Sequence, residues 1–442
     1  MRGRCIILDS KALTKIQSAA LVAIIIVAAV GGGIAYVLWS GPPQSAENIR
    51  IGIFGDLDFY STGTWQGAVL AAEQINAEGG VLGRNLTVIG EDDYSGGDYD
   101  IASASNALTK LITVDKADYV ISDQGIFEQI YQDICAEHKI ILLSVGSASD
   151  DDTQRVLDNY DRYKYFFRVM NPNVTSDIDG SFDCLRTLRN YTGFTKVALL
   201  IEDLPAFNQI AAGVKNLLLD HDFSVVYHNT FPPGTTDFTS YFSAIEAAET
   251  QILNPLVGIS SYSLVKEYYD RQSPFVMWGV IGQAERREFW ELTEGKCEYT
   301  SFVGLPIIAG YPWTNKTLAT REAYIHRWGD IPDGYATATY DAVRFILPDA
   351  IRRAGTTETQ AVIKALEKTD VETSIARRFV FTSSHDVMIG AAGPNTPSAD
   401  YYLACMFQWQ NGTQVPVYPK EIREGAGAIY KYPNWPGPWD NK

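Results

Sequence analysis

The side chains that could do chemistry in this chain are few and scattered. Its five histidines, His138, His221, His228, His326 and His385, form no H-E-x-x-H pair that would hold zinc. No G-x-S-x-G elbow presents a nucleophilic serine, and no G-x-x-x-x-G-K-[ST] run cradles a phosphate. Gly79, Gly80 and Gly83 follow a helical stretch rather than a strand, so they are not a dinucleotide fingerprint. Asp56 and Asp58 have the opening spacing of a calcium loop, but Ser61 stands where its turn glycine is needed. Asp150-Asp151-Asp152 diverge in direction and read as a solvated loop rather than a metal site. No C-x-x-C pair exists. Cys135, Cys184, Cys297 and Cys405 allow either up to two disulfides or four small buried thiols, and both readings stay open. The expectation is a binding protein rather than an enzyme, with no metal and no cofactor.

What remains is hydrogen-bonding and apolar chemistry in loops. Ser144-Val145-Gly146-Ser147-Ala148-Ser149 follows the apolar run Lys139–Ser144. Its small and hydroxyl residues could bring backbone N–H groups and Oγ atoms against a polar ligand. Such a loop needs a parallel sheet behind it, because open parallel sheets bind ligands at the carboxyl ends of their strands. Ile49 to Asp93 supplies the first unit of one. Ile49, Ile51 and Ile53 alternate as a buried strand, and Trp65, Ala68, Val69, Ala72 and Ile75 recur at helical spacing. Gly79-Gly80 ends the helix, and a second strand from Leu86 ends in Asp92-Asp93.

Alternation then continues. Helices are expected at 102–114 and 126–135 and strands at 117–122, 139–144 and 165–170, which completes one doubly wound lobe. A polar turn at 171–176 leads to a second series. There, strands at 196–201, 223–228, 255–259 and 274–278 alternate with helices at 182–191, 207–220, 241–249 and 264–271. Helices at 316–328, 336–354 and 361–368 should return to the first lobe, and 403–408 should rejoin the second. The fold class is therefore α/β, with two doubly wound Rossmann-like lobes joined by three hinge crossings. Lobe 1 is expected at 49–168 and 305–385, and lobe 2 at 169–304 and 386–442.

Charge and hydropathy place the chain. With 442 residues it exceeds one small core, and its net charge of −17 argues against nucleic acid or anionic lipid surfaces as partners. Residues 1–18 form a basic head with Arg2, Arg4, Lys11 and Lys15 against Asp9. Ala19 to Trp39 is free of charge and would span roughly 30 Å as a helix, one hydrocarbon core. Its basic flank predicts an inside head and an exported body, with 40–48 as linker. A retained transmembrane anchor is the reading, and a cleaved signal peptide the competing one. Sequons at Asn85, Asn173, Asn190, Asn315 and Asn411 point the same way and predict a glycoprotein.

The strand IRIGIFG, the helix ending INAEGGVLGR and the EDD that closes the second strand resemble type I periplasmic binding proteins, in the branched-chain amino-acid-binding branch that serves ABC importers. RRFVFTSSHDVMIG and FQWQNGTQVPVYPKEI extend the resemblance to about Ile422. It implies two lobes that close on a small polar ligand (an amino acid, amide or similar) and then dock on a permease dimer with its ATPases. It also implies the site. Gln124, Gly125 and Ile126 match one loop that grips the ligand, and Gly146, Ser147 and Ala148 the other. Tyr60 matches an aromatic that closes over the ligand. Phe207 and Tyr262 fall at or near aromatics of the opposite wall, for which core packing is the alternative, and the segment Gly279–Gln283 contributes Ile281 and Gln283. Two departures stand out. No serine lies near Gly125–Ile126, and no acid lies at Ile281, where the family meets a ligand ammonium. The alternative function is a ligand-sensing domain that signals to a separate membrane partner.

Overall fold

Strand β1 (Ile49–Gly55) is buried on both faces, which is what a central parallel strand requires. The helix Thr62–Ala77 follows it, and the chain turns back through Gly79 and Gly80, both at positive φ, where the Gly80 N–H donates to Ile75 O at 2.9 Å. Asn76 then completes the start of β2 (Leu86–Asp92). Its amide donates to Leu86 O at 2.8 Å and accepts from Leu86 N at 2.7 Å, so the INAEGG sequence sets both the turn and the register. This is the computed structural model of the chain. It describes residues 47–440, leaving aside 59–60, 94–99, 124, 171–172, 287, 309, 391–399 and 402–404. The expected head and apolar segment at 1–39 lie outside the described residues. Among the described residues no helix is long and apolar enough to cross a membrane.

With β3 (Tyr119–Ser122), β4 (Ile141–Ser144) and β5 (Phe166–Arg168), these strands make a five-stranded parallel sheet in the order β2-β1-β3-β4-β5. The chain then passes into the helix Val174–Thr192 and a second sheet. β6 (Lys196–Glu202), β7 (Ser224–Phe231), β8 (Ile252–Val257), β9 (Val276–Ile281) and β10 (Ser301–Gly304) are its parallel part. After β10 the chain returns to the first core through Leu305, Ile307 and Ile308. Helices Thr317–Trp328, Gly334–Asp341, Leu347–Ala354 and Thr359–Leu366 follow, with a small ribbon of β11 (Asp370–Val371) and β12 (Phe379–Val380). A last passage leads to the antiparallel pair β13 (Cys405–Gln410) and β14 (Thr413–Tyr418), giving the order β14-β13-β10-β9-β8-β6-β7. Val169, Met170 and Val387 pack into the first core, just past the boundaries expected at 168 and 385.

Four local features depart from the sequence reading. The helix Thr62–Ala77 buries Ala68, Ala72 and Ile75 of the expected stripe but leaves Trp65 and Val69 half-buried, and it buries Gly67, Leu70 and Ala71 as well, because Gly334–Asp341 packs on it. Tyr340 donates to Gln74 at 2.6 Å along that contact, and Tyr324, from the helix Thr317–Trp328, donates to Gln66 at 2.5 Å. β8 runs through Pro255 rather than starting there. Its pairing with β9 lapses at 254–255, where Gly279 leaves room for the proline ring, and Asn254 Nδ2 donates to Trp278 O at 2.7 Å beside the missing N–H. Asp150–Asp152 are not a loop but the first turn of the helix Asp150–Asp158, capped by Ser149 Oγ on Asp151 N, where acids complement the helix dipole. The segment 336–354 carries a π bulge at Ala342–Ile346, just before Pro348, which has no N–H for the ladder. Cys135, Cys184, Cys297 and Cys405 are four free, buried thiols.

Candidate functional site

At the carboxyl edge of the first sheet, the loops after β3 and β4 are pressed together. A Cβ on Gly125 would run into the Gly146 carbonyl, and one on Gly146 into the Asp123 carbonyl. These glycines are therefore there for close backbone approach. Beneath them lies the carboxylate of Glu128, which is buried and accepts from Ser122 Oγ at 2.9 Å and Ser144 Oγ at 2.9 Å. It ties the ends of β3 and β4 together. Burial, then the Asp152 carboxylate, push the Glu128 carboxyl up to about 8.

The hydroxyls of the loop after β4 are taken up by the protein itself. Ser147 is fully buried, its Oγ donates to Asp152 Oδ2 at 2.6 Å and its N–H to Ser144 Oγ at 3.0 Å. Ser149 Oγ is the helix cap already described. The structure thus leaves Gly125, Gly146 and Ala148, all partly exposed, as the outward part of these loops. The Ala148 carbonyl accepts from Val174 N at 3.1 Å, at the passage to the second sheet. Tyr60 and Gln124 lie outside the described residues, and so does the side chain of Ile126.

Sequence reasoning missed a carboxylate beside these loops. Asp123, directly after β3, accepts from Ser61 Oγ at 2.9 Å and Thr64 Oγ1 at 2.5 Å, which belong to the start of the helix Thr62–Ala77. Desolvation pushes its carboxyl up to about 6 against those two hydrogen bonds, and the Asp333 and Asp93 charges act in the same direction. Asp333 caps the helix Gly334–Asp341 by accepting from Ala336 N at 2.7 Å, and its carboxylate lies 2.8 Å from where a Gly63 Cβ would sit.

The second sheet offers a matching edge. Glu202, the fully buried last residue of β6, accepts from Gly258 N, Ile259 N and Ser260 N at 2.7, 2.8 and 3.1 Å, and from Ser260 Oγ at 2.7 Å. The loop after β8 is thereby fixed, with the Phe207 ring near Gly258 and Gly282 packed on it from the β9 loop. Ile259 is 60% exposed. Phe207 and Tyr262 are half-buried against the second core, and Tyr262 lies 5.0 Å from the Phe289 ring. Gln283 is partly exposed. Ile281 is the last residue of β9 and is buried in the core, because that strand runs three residues past its expected end at Trp278. Glu285 follows it, and its carboxyl is pushed up to about 8 by desolvation and then by the Asp333 charge of the first body. Glu285 thus feels the charge of Asp333, the cap of the helix Gly334–Asp341. Arg286 moderates both.

Two doubly wound bodies joined by three passages define a solute-receptor architecture. The periplasmic binding protein family model matches residues 49–392, and the chain belongs to that family. A Leu/Ile/Val-binding protein homolog of Brucella abortus is 21% identical over 407 residues, 86% of this chain and 94% of that one. A branched-chain amino acid ABC transporter structure from Silicibacter pomeroyi superposes with a TM-score of 0.75 at 17% identity, covering 88% of this chain and all of the other. A branched-chain amino acid transporter substrate binding protein of Streptococcus pneumoniae, in complex with isoleucine, gives 0.67 at 19% identity, covering 84% of this chain and all of the other. These are solute-binding and transport proteins, and the sensing alternative finds no support among them. The type I periplasmic binding fold is the fold of this chain.

The sequons fare unequally. Asn173 caps the helix Val174–Thr192, and its Nδ2, the atom a glycan would occupy, donates to Asp386 Oδ2 at 2.8 Å. Nothing in the comparisons supports glycosylation or membrane anchoring.

Proposed function

We infer that this chain is the extracytoplasmic receptor of an ABC importer and closes its two bodies on a small polar ligand, an amino acid, an amide or a similar solute. The observation that carries this reading is a pair of fixed strand-end loop sets, Gly125 pressed on Gly146 after β3 and β4 and the loop after β8 held by Glu202, in a member of this family. A ligand that touches both edges shifts the equilibrium toward the closed form by its differential affinity for that form. The backbone at Gly125, Gly146 and Ala148 donates from one side. Phe207 and Tyr262 pack from the other, with Gln283 beside them, and the family resemblance adds Tyr60 and Gln124. The isoleucine in the Streptococcus pneumoniae relative supports an amino-acid-like ligand. The closed form docks on a permease dimer with its ATPases, and Ala19–Trp39 holds the receptor on the outer face of the cytoplasmic membrane.

A thermal-shift panel on the full chain tests this, with amino acids, amides, sugars and nucleosides. A ligand at about 100 times its Kd adds roughly 2.7 kcal/mol, a readily visible shift. A shift with amino acids or amides is expected. No shift with any solute would overturn the reading.

A further inference from the structure

We propose that Asn411 is an N-glycosylation site, the one sequon of the five whose folded geometry accepts a sugar, and that the donor is a lipid-phosphate-linked glycan. The inference goes beyond ligand binding and rests on the extracytoplasmic placement proposed above. A sequon pairs an asparagine carboxamide, whose Nδ2 takes the sugar, with a hydroxyl two residues on. The fold withholds one or both at four of the sites. Asn173 Nδ2 is bound to Asp386, and Thr175 Oγ1 donates to Asp150 Oδ2 at 2.9 Å. Asn315 Nδ2 donates to Glu372 Oε1 at 3.2 Å, and the buried Thr317 hydroxyl donates to Ser374 O at 2.8 Å. Thr192, which would serve Asn190, is buried at the end of the helix Val174–Thr192 and donates to Leu188 O at 2.8 Å. Asn85 is exposed, but Leu86, between it and Thr87, is buried and has both backbone groups bonded to Asn76.

Asn411 is different. With Gly412 it makes the turn between β13 and β14, and Asn411, Gly412 and Thr413 are all exposed. The φ angles of 53° and 77° at Asn411 and Gly412 define a tight hairpin. The tip is held from below, because Asn411 N donates to Glu298 Oε2 at 2.7 Å and Gly412 lies against the Trp290 indole. Among the described residues, neither the Asn411 carboxamide nor the Thr413 hydroxyl is taken up by a hydrogen bond. Position matters as much as access. β13 runs antiparallel to β10, which is parallel to β9, so the tip lies at the amino edge of the second sheet. The loops after β6, β8 and β9 are at the opposite edge, and a bulky sugar on Asn411 leaves them clear. In the transfer, Asn411 Nδ2 bonds to C1 of the sugar and the C1–O bond to the lipid phosphate breaks. The phosphate leaves with the electron pair, and the amide gives up one proton.

The full chain, purified from the cells that naturally make it, would be read by peptide mass spectrometry and by gel mobility. Asn411 should carry a glycan, and Asn85, Asn173, Asn190 and Asn315 should be bare. Thr413→Ala and Asn411→Asp should each abolish the slower-migrating band, whereas Thr413→Ser keeps the hydroxyl and should retain it. Aspartate, like asparagine, accepts a left-handed turn position, so Asn411→Asp removes the acceptor nitrogen and leaves the hairpin in place. A bare Asn411, or its conversion to aspartate without sugar, overturns the inference. Sugar on any of the other four overturns it too, since the chain would then be modified before its fold could select a site. Protease added to intact cells separates this failure from that of the receptor reading. A chain that is digested but bare at Asn411 leaves the extracytoplasmic placement standing, and a chain that is protected removes both.

Discussion

The Arg168 guanidinium and the Asp386 carboxylate meet through two bonds, Nε to Oδ1 at 2.8 Å and Nη2 to Oδ2 at 3.2 Å, with both residues buried. They join two of the three passages between the sheets, since Arg168 ends β5 and Asp386 follows the β12 ribbon. Asn173 adds the first helix of the second body by donating to the same carboxylate. Removing one partner of such a pair leaves a buried charge uncompensated. Asp386→Ala should therefore cost about 3–5 kcal/mol in urea unfolding. The double replacement Arg168→Met with Asp386→Leu should recover much of that loss, and a double variant no better than the single would show that the neighbouring bonds carry the site.

Glu128 makes stability depend on pH in a definite direction. Its carboxyl moves from an ordinary 4.5 to about 8, so between those values the folded chain keeps a proton that the unfolded chain has lost. The contribution is complete below about pH 4 and fades as pH rises through about 8. Thermal melts of wild type and Glu128→Gln from pH 5 to 9 should show the variant gaining on the wild type as pH rises. A constant gap would mean that Glu128 is ionised throughout.

His385 has the opposite sign. Its buried ring stacks on Phe167 at 4.0 Å, and burial lowers its pKa despite the Phe166 carbonyl and Glu367 nearby. The unfolded chain therefore takes up a proton first, and the folded state loses stability as pH falls below about 6.5. His385→Phe should remove that acid sensitivity in melts from pH 7 to 5, and an unchanged slope would locate it elsewhere.

Much of the fold was legible because parallel strands buried on both faces are near-continuous apolar runs separated by helical periods. KVALLI at β6 is an example. The failures were where a second contact overrode a local rule. Pro255 reads as a strand start, and only the facing Gly279 shows that the strand continues through it. The Asn411-Gly412 pair between two alternating runs is a strong hairpin signal, and it does join β13 to β14, both residues at positive φ. That strand was readable from sequence and was missed. Ser149 ahead of Asp152 was likewise a readable cap. At the site, loop positions follow from strand ends, but side-chain direction does not. Nothing in the order Ser144, Ser147, Ser149 says that the first two hydroxyls turn inward, since this depends on Glu128 and Asp152 lying behind them. Asp123 and Glu202 each stand at a strand end and could have been singled out, whereas the influence of Asp333 on Glu285 joins residues 48 positions apart and has no sequence signal.

The Asp333 charge acting on Glu285 makes ligand affinity depend on pH. With Glu285 protonated, the closeness of a second carboxylate costs little, and above about pH 8 it ionises and the like charges repel. Affinity for whichever solute the panel identifies should be flat from pH 6 to 7.5 and should fall above about 8. Glu285→Gln keeps the shape without the charge, so its affinity should stay level across that range and match the wild type at low pH. Calorimetry of both proteins at pH 6 to 9 decides the matter. Parallel curves would mean that the carboxylate is solvated in the closed form, and that the edges meet through the apolar residues alone.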